Sequence, residues 1–94
     1  MTNVTDQTRA DAPTTATEAA IADMWTELLD VPEVGPGDDF FQLGATSLTA
    51  IKFLQRVETM FGRDVLVPDT LYEDPRLASV AAAIDEALAS RSPS

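Results

Sequence analysis

Apolar residues recur every three or four positions in three segments of this chain, which is the spacing of an amphipathic helix. The first helix is predicted to begin at Thr15, because a hydroxyl followed three residues later by Glu18 is typical of a capping box. It is predicted to end at Val31, which precedes a proline and is therefore disfavoured in a helix. Its apolar positions are Ile21, Met24, Trp25, Leu28 and Leu29.

Two further helices follow from the same spacing. One is predicted over residues 47–61, with Gly62 as its C-terminal stop. The last is predicted over residues 75–89, with Asp74 as the N-cap and Pro75 at the first helical position. The apolar face of the helix at 47–61 comprises Ala50, Phe53, Leu54, Val57, Met60 and Phe61. The apolar face of the helix at 75–89 comprises Leu77, Val80, Ala81, Ile84 and Leu88.

The rest of the pattern indicates one more short helix and no sheet. Residues 68–73 begin with proline and are expected to form one or two turns. The apolar run at 65–67 is too short for a convincing strand and has no partner run. The predicted fold is therefore all-α, a four-helix bundle of three long helices and one short third helix.

The connection between the first two long helices, residues 31–46, is unusually long. Its sixteen residues compare with the roughly 2–8 that usually join helices in bundles. Phe40, Phe41 and Leu43 are expected to press this loop onto the core, with at least one phenylalanine buried. The loop ends at Thr46, directly before the second helix.

Length and composition predict one globular domain with tails. The chain has 94 residues, of which 45% are hydrophobic and 23% charged, as in ordinary soluble domains. Residues 1–14 and 90–94 have the polar composition of disordered tails, leaving residues 15–89 to fold. No signal peptide or membrane span is recognisable, so a cytoplasmic location is expected.

Charge narrows the choice of partners. Sixteen acidic and six basic residues give a net charge of −10, the wrong sign for binding nucleic acid or an anionic membrane. Four of the five bases after Thr46 lie between Lys52 and Arg76, so this stretch is expected to present a different surface.

Catalysis by this chain is not expected, and no catalytic or metal-ligating residue is predicted. The chain has no Cys and no His, which excludes a thiolate nucleophile, a Cys-ligated zinc site and a histidine-dependent triad. The carboxylate pairs at 38–39 and 73–74 are better explained as solvated loop or N-cap charge. No spacing of acids matches a known metal-binding loop.

Ser47 is the one serine whose position suggests chemistry. It stands where the second helix begins, so unpaired backbone N–H groups and the positive end of the helix dipole would favour a phosphate esterified to its hydroxyl. A serine in this position is more commonly only a cap, and position alone does not separate the two interpretations.

The segment around Ser47 resembles the phosphopantetheine attachment motif of carrier proteins. The resemblance rests on residues 38–48, Asp-Asp-Phe-Phe-Gln-Leu-Gly-Ala-Thr-Ser-Leu, and on Val67-Pro68 with residues 71–75. It extends over about residues 18–88 and is greatest to peptidyl carrier (thiolation) domains of nonribosomal peptide synthetases.

The resemblance implies a non-catalytic carrier protein. A separate phosphopantetheinyl transferase would attach a covalent 4'-phosphopantetheine arm to Ser47. The arm would hold aminoacyl or peptidyl groups as thioesters, loaded by an adenylation or acyl-loading enzyme and used by downstream biosynthetic enzymes. The carrier is expected to be a monomer. Met1 and the two polar tails are compatible with a free-standing protein, although an excised domain would look identical.

Two alternatives stay open at this point. The first is an acyl carrier protein of polyketide or fatty acid synthesis, whose second helix tends to be acidic. Here Lys52 and Arg56 outnumber Glu58, which favours the peptidyl interpretation. The second alternative is a helical interaction module without a cofactor, in which Ser47 is only a cap.

The second helix also predicts a docking surface for partner enzymes. At about 100° per residue, Leu48 and Lys52 fall opposite the buried stripe, and Ile51 falls at its margin. An apolar residue on the solvent side, next to the proposed attachment serine, is expected to contact the enzymes that act on the carried group.

Overall fold

The computed structural model describes residues 15–91 and has four helices within that range. They are α1 (Ala16–Leu29), α2 (Ser47–Phe61), α3 (Pro68–Glu73) and α4 (Leu77–Arg91). This part of the chain contains no strand, and an isolated antiparallel bridge joins Asp39 to Arg76. The all-α prediction of three long helices and one short helix is confirmed. No helix between residues 15 and 91 combines the length and apolar character needed to cross a membrane.

Helix α1 begins where the sequence predicts and ends at Leu29, two residues before the predicted end at Val31. The Thr15 hydroxyl accepts a hydrogen bond from the Glu18 N–H at 3.0 Å, which satisfies one of the unpaired amides at the helix start. Asp30 stops the helix in the left-handed conformation, with φ 56°. The helix packs against both α4 and α2, and therefore lies at the centre of the bundle.

Three aromatic side chains from three different segments meet in the core. Trp25 lies 4.8 Å from Phe40 and 5.8 Å from Phe53, measured between ring centroids, and all three are fully buried. Because Phe40 comes from the long loop, that loop supplies a central part of the core. The other fully buried large side chains are Ile21, Val57, Leu71, Leu77, Val80 and Ile84.

The apolar face predicted for α2 is buried or partly buried, except for Met60. Ala50, Phe53 and Val57 are buried, and Leu54 and Phe61 are partly buried against the core. Met60 is 58% exposed. It lies over an open groove between α1 and α2, so no element covers it.

Backbone hydrogen bonds join the long loop to the start of α4. The N–H groups of Leu77 and Ala78 donate to the carbonyl oxygens of Asp38 and Pro36, each at 2.9 Å. In the opposite direction, the Phe40 N–H donates to the Pro75 carbonyl at 3.0 Å. The loop therefore satisfies the first amides of α4, which a helix cannot satisfy by itself.

These bonds overturn the predicted start of the last helix. The helix begins at Leu77 rather than Pro75, and Asp74 is not its N-cap, because loop carbonyls already bind the first helical amides. Asp74 instead ends α3, where its N–H donates to the Thr70 carbonyl at 3.3 Å. Its carboxylate accepts two hydrogen bonds from the Arg76 guanidinium, at 2.9 and 2.8 Å.

Helix α4 ends at Arg91, two residues beyond the predicted end of the domain at 89. Ser90 and Arg91 therefore belong to a helix and not to a tail. The predicted tail at 1–14 and residues 92–94 lie outside the described residues, so the tail assignments stay predictions.

Candidate functional site

A short turn at the end of the loop directs the chain into α2. The Asp39 carboxylate accepts hydrogen bonds from the N–H groups of Phe41 and Gln42, at 2.9 and 3.1 Å. Gly44 then adopts a φ of 114°, a conformation that side-chain-bearing residues rarely adopt. The Ala45 N–H closes the turn on the Phe40 carbonyl at 3.3 Å. The buried Phe40 thus fixes the direction in which the chain enters α2.

Thr46, and not Ser47, is the N-cap of α2. The Thr46 hydroxyl accepts from the Thr49 N–H, and the Thr49 hydroxyl accepts from the Thr46 N–H, both at 3.3 Å. This reciprocal arrangement is a capping box in which threonine replaces the usual Glu or Gln. The capping role that the sequence left open for Ser47 therefore belongs to its neighbour.

The Ser47 hydroxyl is consequently free. Ser47 is the first residue of α2 and is exposed, and its hydroxyl has no hydrogen-bond partner among residues 15–91. The N–H groups of Ser47 and Leu48 are also without acceptors in this range, whereas the Thr49 and Ala50 N–H groups are bound to Thr46. Two backbone donors therefore lie beside an accessible hydroxyl.

The local electrostatics favour an anion on this hydroxyl. The first turn of α2 contains no acidic residue, and the positive end of the helix dipole lies here. A phosphate ester on Ser47 would therefore meet two unpaired N–H donors without a carboxylate in the same turn. The residues around Ser47 fit a covalently attached phosphate group.

Among residues 15–91, no side chain is hydrogen-bonded to the Ser47 hydroxyl. The chain has no His or Cys, and residues 15–91 contain no group of three Asp or Glu residues arranged to hold a metal ion. The adjacent carboxylates of Asp38 and Asp39 are engaged by loop amides, since Asp38 accepts from the Gly35 N–H at 2.8 Å.

An apolar surface surrounds the start of α2. Leu48 is 61% exposed and Ile51 52% exposed, in accord with the predicted solvent side of this helix. Val67 and Tyr72 are also exposed, although the sequence pattern predicted no surface position for them. Ile51 and Val67 line a groove of about 260 Å³ between α2 and the start of α3.

Tyr72 extends this surface towards the loop. Its ring is stacked on Phe41, with centroids 5.4 Å apart and ring planes inclined by 11°. The position of Tyr72 directly before two acids and a proline marks the end of a helix, but no local signal shows that its ring contacts the loop.

Comparison with known proteins identifies the family. The family model described as the phosphopantetheine attachment site matches residues 19–84. The chain belongs to this family. The matched range runs from α1 into α4 and includes the turn and the free serine, so the predicted resemblance to phosphopantetheine-binding carriers is confirmed. The cofactor of the family is 4'-phosphopantetheine, held covalently.

Peptide synthetases are among the similar proteins. The chain is 40% identical to chondramide synthase cmdD of Chondromyces crocatus over 84 residues, which are 89% of this chain and 2% of that protein. It is 39% identical to tyrocidine synthase 3 of Brevibacillus parabrevis over 75 residues, 80% of this chain and 1% of that protein. The chain thus spans a small fraction of the length of the curated relatives it matches.

Solved carrier structures match over most of their own length. A chain in the complex of the phosphopantetheine transferase Sfp with coenzyme A and a peptidyl carrier protein is 29% identical, with a TM-score of 0.77. The match covers 81% of this chain and 97% of that chain. The solution structure of PCP, a prototype for the peptidyl carrier domains of modular peptide synthetases, is 30% identical with a TM-score of 0.69, covering 79% and 96%. Both confirm the carrier-protein fold.

Proposed function

We propose that this chain is a peptidyl carrier domain that holds aminoacyl or peptidyl groups on a 4'-phosphopantetheine arm attached to the Ser47 Oγ. One observation carries the assignment of the serine. Thr46 caps α2, which leaves the exposed Ser47 hydroxyl and two adjacent N–H donors without partners among residues 15–91. Family membership supplies the group that such a site would accept.

The chain acts as a substrate in the attachment reaction. The Ser47 Oγ forms a bond to the phosphorus of coenzyme A that bears pantetheine, and the adenosine portion leaves with its own phosphates. A base on a separate transferase takes the serine proton, because this chain has no His and no carboxylate hydrogen-bonded to Ser47. The N–H groups of Ser47 and Leu48 then stabilise the bound phosphate.

The arm supplies a terminal thiol to which an acyl group is joined as a thioester, and this chain has no thiol of its own. The residues of the chain contribute position and recognition. Helix α2 fixes the attachment point, and the exposed Leu48 and Ile51 offer a contact surface beside it. Tethering raises the effective concentration of the carried group at each docked enzyme.

The partners follow from this role. They are a phosphopantetheinyl transferase, an adenylation or acyl-loading enzyme, and the downstream enzymes that use the carried group. The carrier itself is proposed to be a non-catalytic monomer, and its cytoplasmic location stays a prediction.

A peptidyl pathway is favoured over an acyl one. Lys52 and Arg56 are exposed on α2, and the relatives named above are peptide synthetases. An acyl carrier of polyketide or fatty acid synthesis is the second candidate. It is supported by Ala45, because peptidyl carriers commonly have a second Gly at this position and Leu-Gly-Ala is more similar to acyl carriers. A helical interaction module without a cofactor does not account for the family membership.

Intact-mass measurement tests the attachment. The purified chain is incubated with coenzyme A and an Sfp-type transferase, and the parent is expected to gain the mass of one phosphopantetheinyl group. Ser47→Ala is expected to gain none. Ser90→Ala, which alters an exposed serine in the last turn of α4, is the matched control and should be modified like the parent. Modification of Ser47→Ala would place the site elsewhere.

A further inference from the structure

A second apolar depression lies between α1 and α2, away from the groove beside α3. It has a volume of about 600 Å³, is open to solvent, and is lined by Met24, Leu28 and Met60 among others. Met24 is buried at its floor, whereas Met60 stands 58% exposed above it. We name this depression the α1–α2 groove. Its two methionines have flexible, polarisable side chains that adapt to partners of different shape.

The α2 side of the α1–α2 groove carries basic residues, although the chain as a whole has a net charge of −10. Lys52 and Arg56 line it, and none of its lining residues is acidic. Arg56 forms an ion pair with Glu27 of α1, which reduces its local charge. Lys52 is exposed and has no ion pair among residues 15–91, so its charge is available to a partner.

The α1–α2 groove and the exposed Leu48 share the helix α2. Leu48 and Lys52 are four residues apart on the same helix and therefore lie on one face. Lys52 thus stands between the exposed Leu48 and the α1–α2 groove. A protein that contacts Leu48 to reach the group on Ser47 would have the groove within the same interface.

We propose that the α1–α2 groove binds an acidic, amphipathic helix of a partner protein, which inserts an apolar side chain between Met24, Leu28 and Met60. Its carboxylates face Lys52 and Arg56. The identification of that partner as an enzyme acting on the carried group rests on the function proposed above. The groove and its charge do not depend on the arm.

Methionine-methyl NMR on the unmodified chain tests the proposal. The probe is a synthetic amphipathic helical peptide with leucines on one face and flanking glutamates. A matched peptide has every glutamate replaced by lysine. The glutamate peptide is expected to shift the methyl signals of Met24 and Met60, and to bind at least about tenfold more tightly than the lysine peptide at low salt. Added salt should reduce that difference.

Two charge-reversal variants separate the groove from general electrostatics. Lys52→Glu is expected to weaken binding of the glutamate peptide by about tenfold. Arg63→Glu makes the same change of charge at an exposed residue that does not line the groove, and should stay within about twofold of the parent. Melting curves of both variants should match the parent, since neither side chain is in the core.

Several results would overturn the proposal. The proposal is wrong if the two peptides bind equally well, if the peptide does not shift the methyl signals of Met24 and Met60, or if the two charge reversals weaken binding equally. Concentration-dependent shifts of Met60 without any peptide would identify a second copy as the occupant instead. Repeating the titration with Ser47→Ala keeps the two proposals distinct. Ser47→Ala is expected to bind the peptide like the parent, although it cannot take the arm. Failure of the parent chain to gain the arm while it still binds the peptide contradicts only the carrier function, and a parent chain that gains the arm but does not bind the peptide contradicts only the groove.

Discussion

The hydroxyl groups of Thr46 and Thr49 lie 3.1 Å apart, and each accepts a hydrogen bond from the backbone N–H of the other residue. This pair closes the first turn of α2, and the Ser47 side chain takes no part in it. Ser47 is therefore both fixed in position by the helix and free in its hydroxyl. The helix cap and the proposed attachment site are therefore neighbouring residues, and substitutions can separate their effects.

Thr46→Ala should destabilise the chain by about 1 kcal/mol, because it removes the N-cap of α2. Ser47→Ala should change the free energy of unfolding by less than about 0.5 kcal/mol, because its hydroxyl makes no hydrogen bond within residues 15–91. Urea unfolding followed by circular dichroism measures both. Intact mass after transferase treatment should show the opposite order, with the arm lost only in Ser47→Ala. A large destabilisation by Ser47→Ala would mean that its hydroxyl has a structural role.

Phe40→Ala should cost about 3–5 kcal/mol, because the ring is fully buried between Trp25 and Phe53. Phe41→Ala should cost less, because its ring is only partly buried and stacks on the exposed Tyr72. Thermal melts of the two variants measure the difference. Equal melting temperatures would contradict the assignment of Phe40 as the anchor of the loop.

Leu48→Asp should slow loading of the arm-bearing protein by its cognate enzyme by about tenfold or more, equivalent to ~1.4 kcal/mol. Leu48 is 61% exposed beside the attachment site, so the substitution removes an apolar contact and introduces a charge. Lys52→Ala should have a smaller effect that decreases with added salt.

The matched control for Leu48→Asp is Ala82→Asp, which places the same charge on an exposed position of α4. Both variants should melt close to the parent, and the control should be loaded at the parental rate. Parental loading of Leu48→Asp would exclude this surface as the docking site.

Asp74→Asn should flatten the dependence of stability on pH in the acid range. Hydrogen bonds from Arg76 and from the Ser79 hydroxyl hold the pKa of Asp74 well below its usual range. Since the pKa of this carboxyl is lower in the folded than in the unfolded chain, its contribution is present above about pH 4 and is lost as the pH falls further. Urea midpoints measured between neutral pH and pH 2 test this. An unchanged acid slope in the variant would mean that Asp74 contributes nothing to it.

The hydrophobic pattern determined the number of helices and most of their boundaries. Local signals were sufficient where a helix satisfies its own ends, as in α1 with Thr15 and α2 with Gly62. The predicted start of α4 was wrong, because carbonyl groups of Pro36 and Asp38 accept hydrogen bonds from the first amides of this helix. No spacing within the helix itself contains information about acceptors that lie some forty residues earlier in the chain.

For the candidate site, too, some features follow from the sequence and others only from the tertiary structure. The sequence alone determined the family motif, the absence of His and Cys, and the position of Ser47 at a helix start. Only the tertiary structure decided that Thr46 takes the cap and frees the Ser47 hydroxyl, because both residues are competent caps by type. It also left Met60 exposed on a face predicted to be buried. Helical periodicity gives the direction of a side chain, whereas burial requires a neighbouring element, and α1 leaves an open groove at that point.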